Sequence, residues 1–201
     1  MLPKVVKSET RYQGRAFSVR VDEVEIRPGQ TARLDVIEHA GAITLLPLDD
    51  EQNIWFVRQY RHAVRETLLE LPAGTLNPGE QPAIAANREL QEEIGMRAER
   101  LELLAAFYLA PGYSTELMHV FLAGGLSPSV LAQDEDEMIS VEKVAASRVL
   151  GLVERGELRD AKSLAAILLA ARRFGCSLWY NLVRLPPHAL GGSTFALTFR
   201  K

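Results

Sequence analysis

The sequence predicts a mixed α/β fold, a mixed β-sheet held between helices, and three observations predict it. Strand-like runs lie both before and after one helical segment in the middle of the chain. Two segments of helical period, VAASRVLGLVERG and AKSLAAILLAARRFG, follow the last strand-like run. The first forty residues are β-rich around a turn, so a small antiparallel β-unit precedes the body.

In order along the chain, RAFSVRVDEVEI has partial alternation, RPGQ is a turn, and TARLDVIEH reads as a returning strand. AITLLPL is a short apolar run of the kind a buried strand carries; DDEQN turns the chain and IWFVRQYR goes back. HAVRET reads as a loop, and LLELPAG leads into the central segment. RLELLAAFYLA and ELMHVFLAGGL read as two more strands around the turn-forming APGYST. SPSVLAQDEDE is a polar loop and MISVEKV a strand. Asp160 reads as the N-cap of the last helix, with Gly175 just past its end.

Composition narrows the function. A chain of 201 residues fits one domain with an appendage. The net charge of −3 argues against a general nucleic-acid binder, which needs a basic patch. No apolar stretch is long and clean enough to span a bilayer, and MLPKVVKSETRYQG lacks the apolar core of a signal peptide. The single cysteine, Cys176, has no partner for an internal disulfide, which fits a reducing cytoplasm.

The central segment, GTLNPGEQPAIAANRELQEEIGM (residues 74–96), carries the chemistry. Pro78-Gly79 is a turn, Pro82 suits a first helical turn, and Gly95 suits the position past a helix end. Ala83, Ala86, Leu90 and Ile94 fall on one apolar stripe. Glu89 and Glu93 lie one turn apart beside it, and Glu92 lies further round, near Arg88. Like charges at that spacing are unfavourable unless a cation sits between them. Mg²⁺ takes carboxylate oxygens and keeps waters for substrate phosphates. An isolated acidic helix is ordinarily a solvated face with Arg88 paired to Glu92. The glycines and flanking strand weigh for the cation instead.

Glu80, Arg88-Glu89, Leu90, Glu92-Glu93, Gly95 and Met96 follow Gly74 in an order that resembles the Nudix box, G-x5-E-x7-R-E-U-x-E-E-x-G-U, at every specified position. The resemblance covers about Arg11 to Phe174. It implies a Nudix α/β/α sandwich at residues 41–175. It also implies that residues 1–40 are the small β-domain of the ADP-ribose pyrophosphatases, which often exchange it in a homodimer. The tail, residues 176–201, lies outside; its Trp179, Leu182, Leu185 and Phe195 suggest docking on the body or a partner subunit.

The same resemblance implies the site. Glu89 and Glu93 would hold Mg²⁺ (or Mn²⁺) with the carbonyl of Ala73 in LPAG, and Glu92 would hold an additional ion. In AQDEDEMISV, Glu135 matches the general base and Glu137 a metal ligand, and those two roles are open to exchange. Arg88 would orient a box carboxylate and Glu80 brace the loop. Pro111, sixteen residues beyond Gly95, opens PGYSTE, which resembles the ADP-ribose-cleaving branch. Gly112 there permits close backbone approach and Ser114 offers a hydroxyl. Glu116 and Glu70 are candidates for ribose hydroxyls or for bracing groups. Arg61 matches the arginine at the diphosphate, where a planar fork suits phosphate oxygens. Arg33 and Phe17 are candidates for nucleoside recognition. His39 and His119 read as packing or hydrogen-bonding residues, lacking zinc-like spacing.

The implied reaction is hydrolysis of the pyrophosphate of ADP-ribose, or a related nucleotide sugar, to AMP and ribose 5-phosphate. GDP-mannose hydrolysis is the alternative within the family. A non-catalytic nucleotide sensor is the alternative outside catalysis, and it would be expected to have lost box carboxylates. A cap-removing role on mRNA is disfavoured by the lack of a strongly basic surface.

Overall fold

The computed structural model of the chain describes residues 2–132 and 138–171. At the N-terminus, β1 (Lys4–Gln13), β2 (Ser18–Arg27) and β3 (Gln30–Glu38) form an antiparallel sheet in that order. The expected hairpin is β2–β3, turned at Pro28-Gly29 with Gly29 at φ +75°. The third strand, β1, carries no apolar alternation that marks it in the sequence, because KVVKSETRYQ is largely polar and almost wholly exposed. Register explains its pairing: Lys4 and Lys7 face Glu25 and Glu23 across the strands, and such opposite-charge pairs favour a ladder. This sheet meets the body where Ile37 bridges Ser114.

The body has two sheets rather than the single one expected. The mixed sheet runs β7-β4-β9-β8, from β4 (Ala42–Pro47), β7 (Ala73–Thr75), β8 (Met96–Tyr108) and β9 (Leu117–Pro128), with β4 and β9 parallel. The second is antiparallel, β10-β5-β6, from β5 (Asn53–Arg61), β6 (Glu66–Glu70) and β10 (Ile139–Ala145). The division falls at the DDEQN turn. There the Asp49 carboxylate accepts from the Asn53 amide at 2.8 Å and from Trp55 Nε1 at 2.9 Å. Gln52 takes φ 63°, and pairing across the turn continues through the Leu48–Ile54 bridge and the Asp49 amide, which donates to the Asn53 carbonyl at 3.0 Å.

Every residue of β4 is buried, which is why it reads as an unbroken apolar run. Its alternate side chains serve two cores. Ile43 and Leu45 pack with Ala86, Leu90 and Ile94 on one side. Ala42 and Leu46 pack with Val149, Leu152, Ala166 and Ile167 on the other. The first core belongs to α1 (Pro82–Glu93); the second belongs to α2 (Ala146–Glu154) and α3 (Ala161–Ala171). A sheet layer thus lies between helix layers, the α/β/α arrangement expected. Asp160 caps α3 through Oδ1, which accepts from the Ser163 amide at 3.0 Å. Among the described residues no helix is long and apolar enough to cross a membrane.

Candidate active site

Helix α1 places the carboxylates. Pro82 occupies its first turn and Gly95, at φ +66°, follows its end, both as the sequence predicts. The buried stripe differs from expectation. Ala83 is exposed and Ala85 buried, and Glu89 and Glu93 lie within the stripe rather than beside it, at 8% and 2% exposure. The stripe has rotated so that it runs through Ala85, Ala86, Glu89, Leu90 and Glu93. Buried carboxylates need partners, and strand β7 supplies its backbone. Glu93 Oε2 accepts from the Ala73 amide at 3.0 Å. Gly74, next along, leaves the space that the Glu89 carboxylate fills.

Arg88 ties the rest together. Its Nε and Nη2 donate to the two oxygens of Glu80, each at 3.0 Å. Its Nη1 donates to Glu89 at 2.6 Å and Glu92 at 2.9 Å, and Nη2 also reaches the Thr75 carbonyl at 3.2 Å. Glu80 in turn accepts from the Asn77 amide at 2.9 Å, in the loop before the helix. The Arg88 hydrogen bond is the chief reason the Glu80 carboxyl sits below its ordinary range. The same carboxylates push the Arg88 guanidinium higher still.

The donor set suits a hard divalent cation. Glu89, Glu93 and the Ala73 carbonyl offer only oxygen, and the Gly74 cradle holds one carboxylate at the strand edge. Among the described residues no three Asp, Glu, His or Cys side chains form a ready-made cluster. Glu92 is engaged by Arg88. Glu135 and Glu137 lie outside the described residues, as do Cys176, Trp179, Leu182, Leu185 and Phe195.

The PGYSTE loop is a tight turn: the Ala110 carbonyl accepts from the amides of Tyr113 at 3.1 Å and Ser114 at 2.9 Å. Pro111 and Gly112 are exposed at its tip. Ser114 Oγ accepts from the Glu116 amide at 3.2 Å. The loop is stitched to β3, since the Ile37 amide donates to Tyr113 and the Thr115 amide donates to Ile37. Arg33 lies in the N-terminal sheet, lining a pocket of about 190 Å³ with Lys7, Glu9, Arg11, Val21 and Glu23. Phe17 packs at a tilt on Tyr12, ring centres 6.0 Å apart, and remains partly exposed. His39 Nδ1 accepts from the Gly41 amide at 3.1 Å, a local bracing role.

Arg61 ends β5. Its Nε and Nη2 donate to the two oxygens of Glu70 at 2.9 and 2.7 Å. Glu70 also accepts from Lys162 of α3. Burial alone would raise the Glu70 carboxyl; the hydrogen bonds and charges of Arg61 and Lys162 outweigh it and hold the group below its ordinary range. Lys162 escaped the sequence reading because it is 92 residues from Glu70, and no local pattern links the two.

The fold is thus a sheet sandwiched by helices, with a buried carboxylate pair on the helix after a glycine-bearing strand. The chain belongs to the Nudix family: the model of the NUDIX domain matches residues 38–167. It is 39% identical over 168 residues to an ADP-ribose pyrophosphatase of Bacillus subtilis, covering 82% of this chain and 90% of the relative. It is 37% identical over 172 residues to an ADP-ribose pyrophosphatase of Mycobacterium tuberculosis, covering 82% of this chain and 81% of the relative. A crystal structure of an ADP compounds hydrolase superposes with a TM-score of 0.77 at 26% identity, over 87% of this chain and 95% of that one.

Proposed function

We propose that this chain hydrolyses the pyrophosphate bond of ADP-ribose, or of a closely related nucleoside diphosphate sugar, to AMP and ribose 5-phosphate. One observation carries the reading: two buried carboxylates, Glu89 and Glu93, are set one turn apart against the Ala73–Gly74 strand edge. Two relatives bearing this activity in their names support the substrate.

Glu89, Glu93 and the Ala73 carbonyl would hold Mg²⁺, with Glu137 as a further ligand and Glu92 for an additional ion. A divalent cation bound there would supply charge neutralisation on the two phosphates and would acidify a nearby water. Glu135 takes the proton of the attacking water. Arg61 presents its guanidinium to the diphosphate, and Arg88 holds the box carboxylates in their rotamers. Pro111, Gly112, Ser114 and Glu116 contribute to substrate binding. Arg33 and Phe17 contact the nucleoside within a homodimer that shares the N-terminal sheet.

The test is product identification. The purified chain is incubated with Mg²⁺ and either ADP-ribose or GDP-mannose. AMP and ribose 5-phosphate from ADP-ribose, at the higher kcat/KM, are expected. Preferred release of GMP would move the assignment to GDP-sugars. Tight ADP-ribose binding without AMP release would identify a sensor.

A further inference from the structure

A line of charge runs from the N-terminus of α3 to the strand before the box. Glu70 is 1% exposed and carries one negative charge. Two cations share it. Arg61 grips both oxygens with its fork. Lys162 donates to Oε2 from the other partner element, α3. The ammonium of Lys162 is itself fixed, because it also donates to Asp160 Oδ1 at 2.9 Å. Asp160 is the cap of α3, and the neighbouring Ser163 Oγ accepts from the Leu71 amide at 2.8 Å. Helix cap and strand edge thus set the position of Lys162 on both sides.

Exposure is least in the middle of this line, at Glu70, and greatest at its Arg61 end. The Glu70 side chain is 2% exposed, Lys162 13% and Arg61 37%. Glu70 and Lys162 are enclosed, and the Arg61 end reaches the surface. The terminal torsion of a glutamate is soft, so a carboxylate held by one cation can pivot, whereas two cations on separate elements fix its plane. The fork of Arg61 is planar and follows that plane.

We propose that Lys162 is a positioning residue for substrate binding. Through Glu70, it sets the angle at which Arg61 meets the diphosphate. The inference rests on the reading of Arg61 as the diphosphate contact given above. A displacement of about 1 Å at a binding group can cost on the order of 10²-fold. A tilt of an arginine that remains in reach is expected to cost about tenfold in KM with kcat within about twofold.

The experiment is a kinetic cycle in the full chain with ADP-ribose and Mg²⁺, using Arg61→Lys, Lys162→Met and the double variant. Each single change is expected to raise KM roughly tenfold, and the double variant to be no worse than Arg61→Lys alone, since both act through one fork. Lys162→Gln, which keeps a neutral donor, is expected to give a smaller rise and serves in the cycle where Lys162→Met does not fold. A residue that merely docks α3 would lower the melting temperature and leave KM untouched. Unchanged KM at Lys162 with a raised KM in Arg61→Lys overturns the proposal alone, as does a multiplicative double variant. An unchanged KM in Arg61→Lys removes the reading of Arg61 and this inference with it.

Discussion

Gly74 of β7 lies flat against the carboxylate of Glu89 in α1: a methyl group at position 74 would fall 1.7 Å from Oε1 and 1.9 Å from Cδ. Ordinary contact between such atoms is about 3.5 Å or more. The glycine that opens the box is therefore required for space. Strand β7 has little freedom to retreat, because Gly74 is paired with Ile43 of the fully buried β4. Glu89 must leave instead. Gly74→Ala is expected to keep the fold, seen as an unchanged far-ultraviolet spectrum. It should lower kcat/KM by at least about tenfold and raise the Mg²⁺ concentration for half activity. Wild-type Mg²⁺ dependence in that variant would show that Glu89 does not serve the metal.

Glu93→Gln separates charge from scaffolding. The amide oxygen of glutamine can still accept from the Ala73 amide, so the bond that docks α1 on β7 survives. Only the negative charge is lost. Turnover at saturating Mg²⁺ is expected to fall about 100-fold or more, with the melting temperature within a few degrees of wild type. Full activity in folded protein would refute Glu93 as a ligand.

Arg88→Ala removes the hub. Glu80, Glu89, Glu92 and the Thr75 carbonyl all lose a donor together. Breaking a fully buried ion pair costs about 3–5 kcal/mol. The Arg88 side chain is 24% exposed, so water screens part of that loss and about 2 kcal/mol is expected. Urea unfolding measures it. Saturating Mg²⁺ should restore part of the stability, because a bound cation takes up the charge that Arg88 balanced. A variant as stable as wild type without metal would mean the network contributes specificity alone.

Much of this architecture was legible in the chain because it is local. The run AITLLPL, the cap at Asp160, and the Pro82 and Gly95 bounds of the central helix each follow from a few adjacent residues. What escaped was set by partners distant in sequence. Strand β1 pairs by charge across β2 and shows no apolar alternation. Ala85 replaces Ala83 in the buried face because β7 draws Glu89 and Glu93 inward. The bidentate pairing of Arg61 with Glu70 depends on the register of β5 against β6, and the claim of Lys162 on the same carboxylate on where α3 docks.

That shared carboxylate also sets a pH dependence. Arg61 and Lys162 hold the folded Glu70 carboxyl below its ordinary value of 4.5 despite its burial. A depressed folded pKa means the unfolded chain binds the proton more readily. The stabilisation is therefore fully present above about pH 4.5 and is lost as pH falls through the folded value. Glu70→Gln mimics the protonated state at every pH. At neutral pH the variant should be less stable by a few kcal/mol, about what breaking a buried pair costs, since Arg61 and Lys162 then lose the carboxylate charge they share. As pH falls below about 4.5 the wild type should descend towards the variant, so the two curves converge. Other depressed carboxyls, Asp49 and Glu80 among them, titrate in both proteins and cancel in the difference. Urea unfolding of the pair between neutral pH and about pH 3 measures that difference. A gap that stays constant across the range would show that Glu70 does not ionise between its two cations.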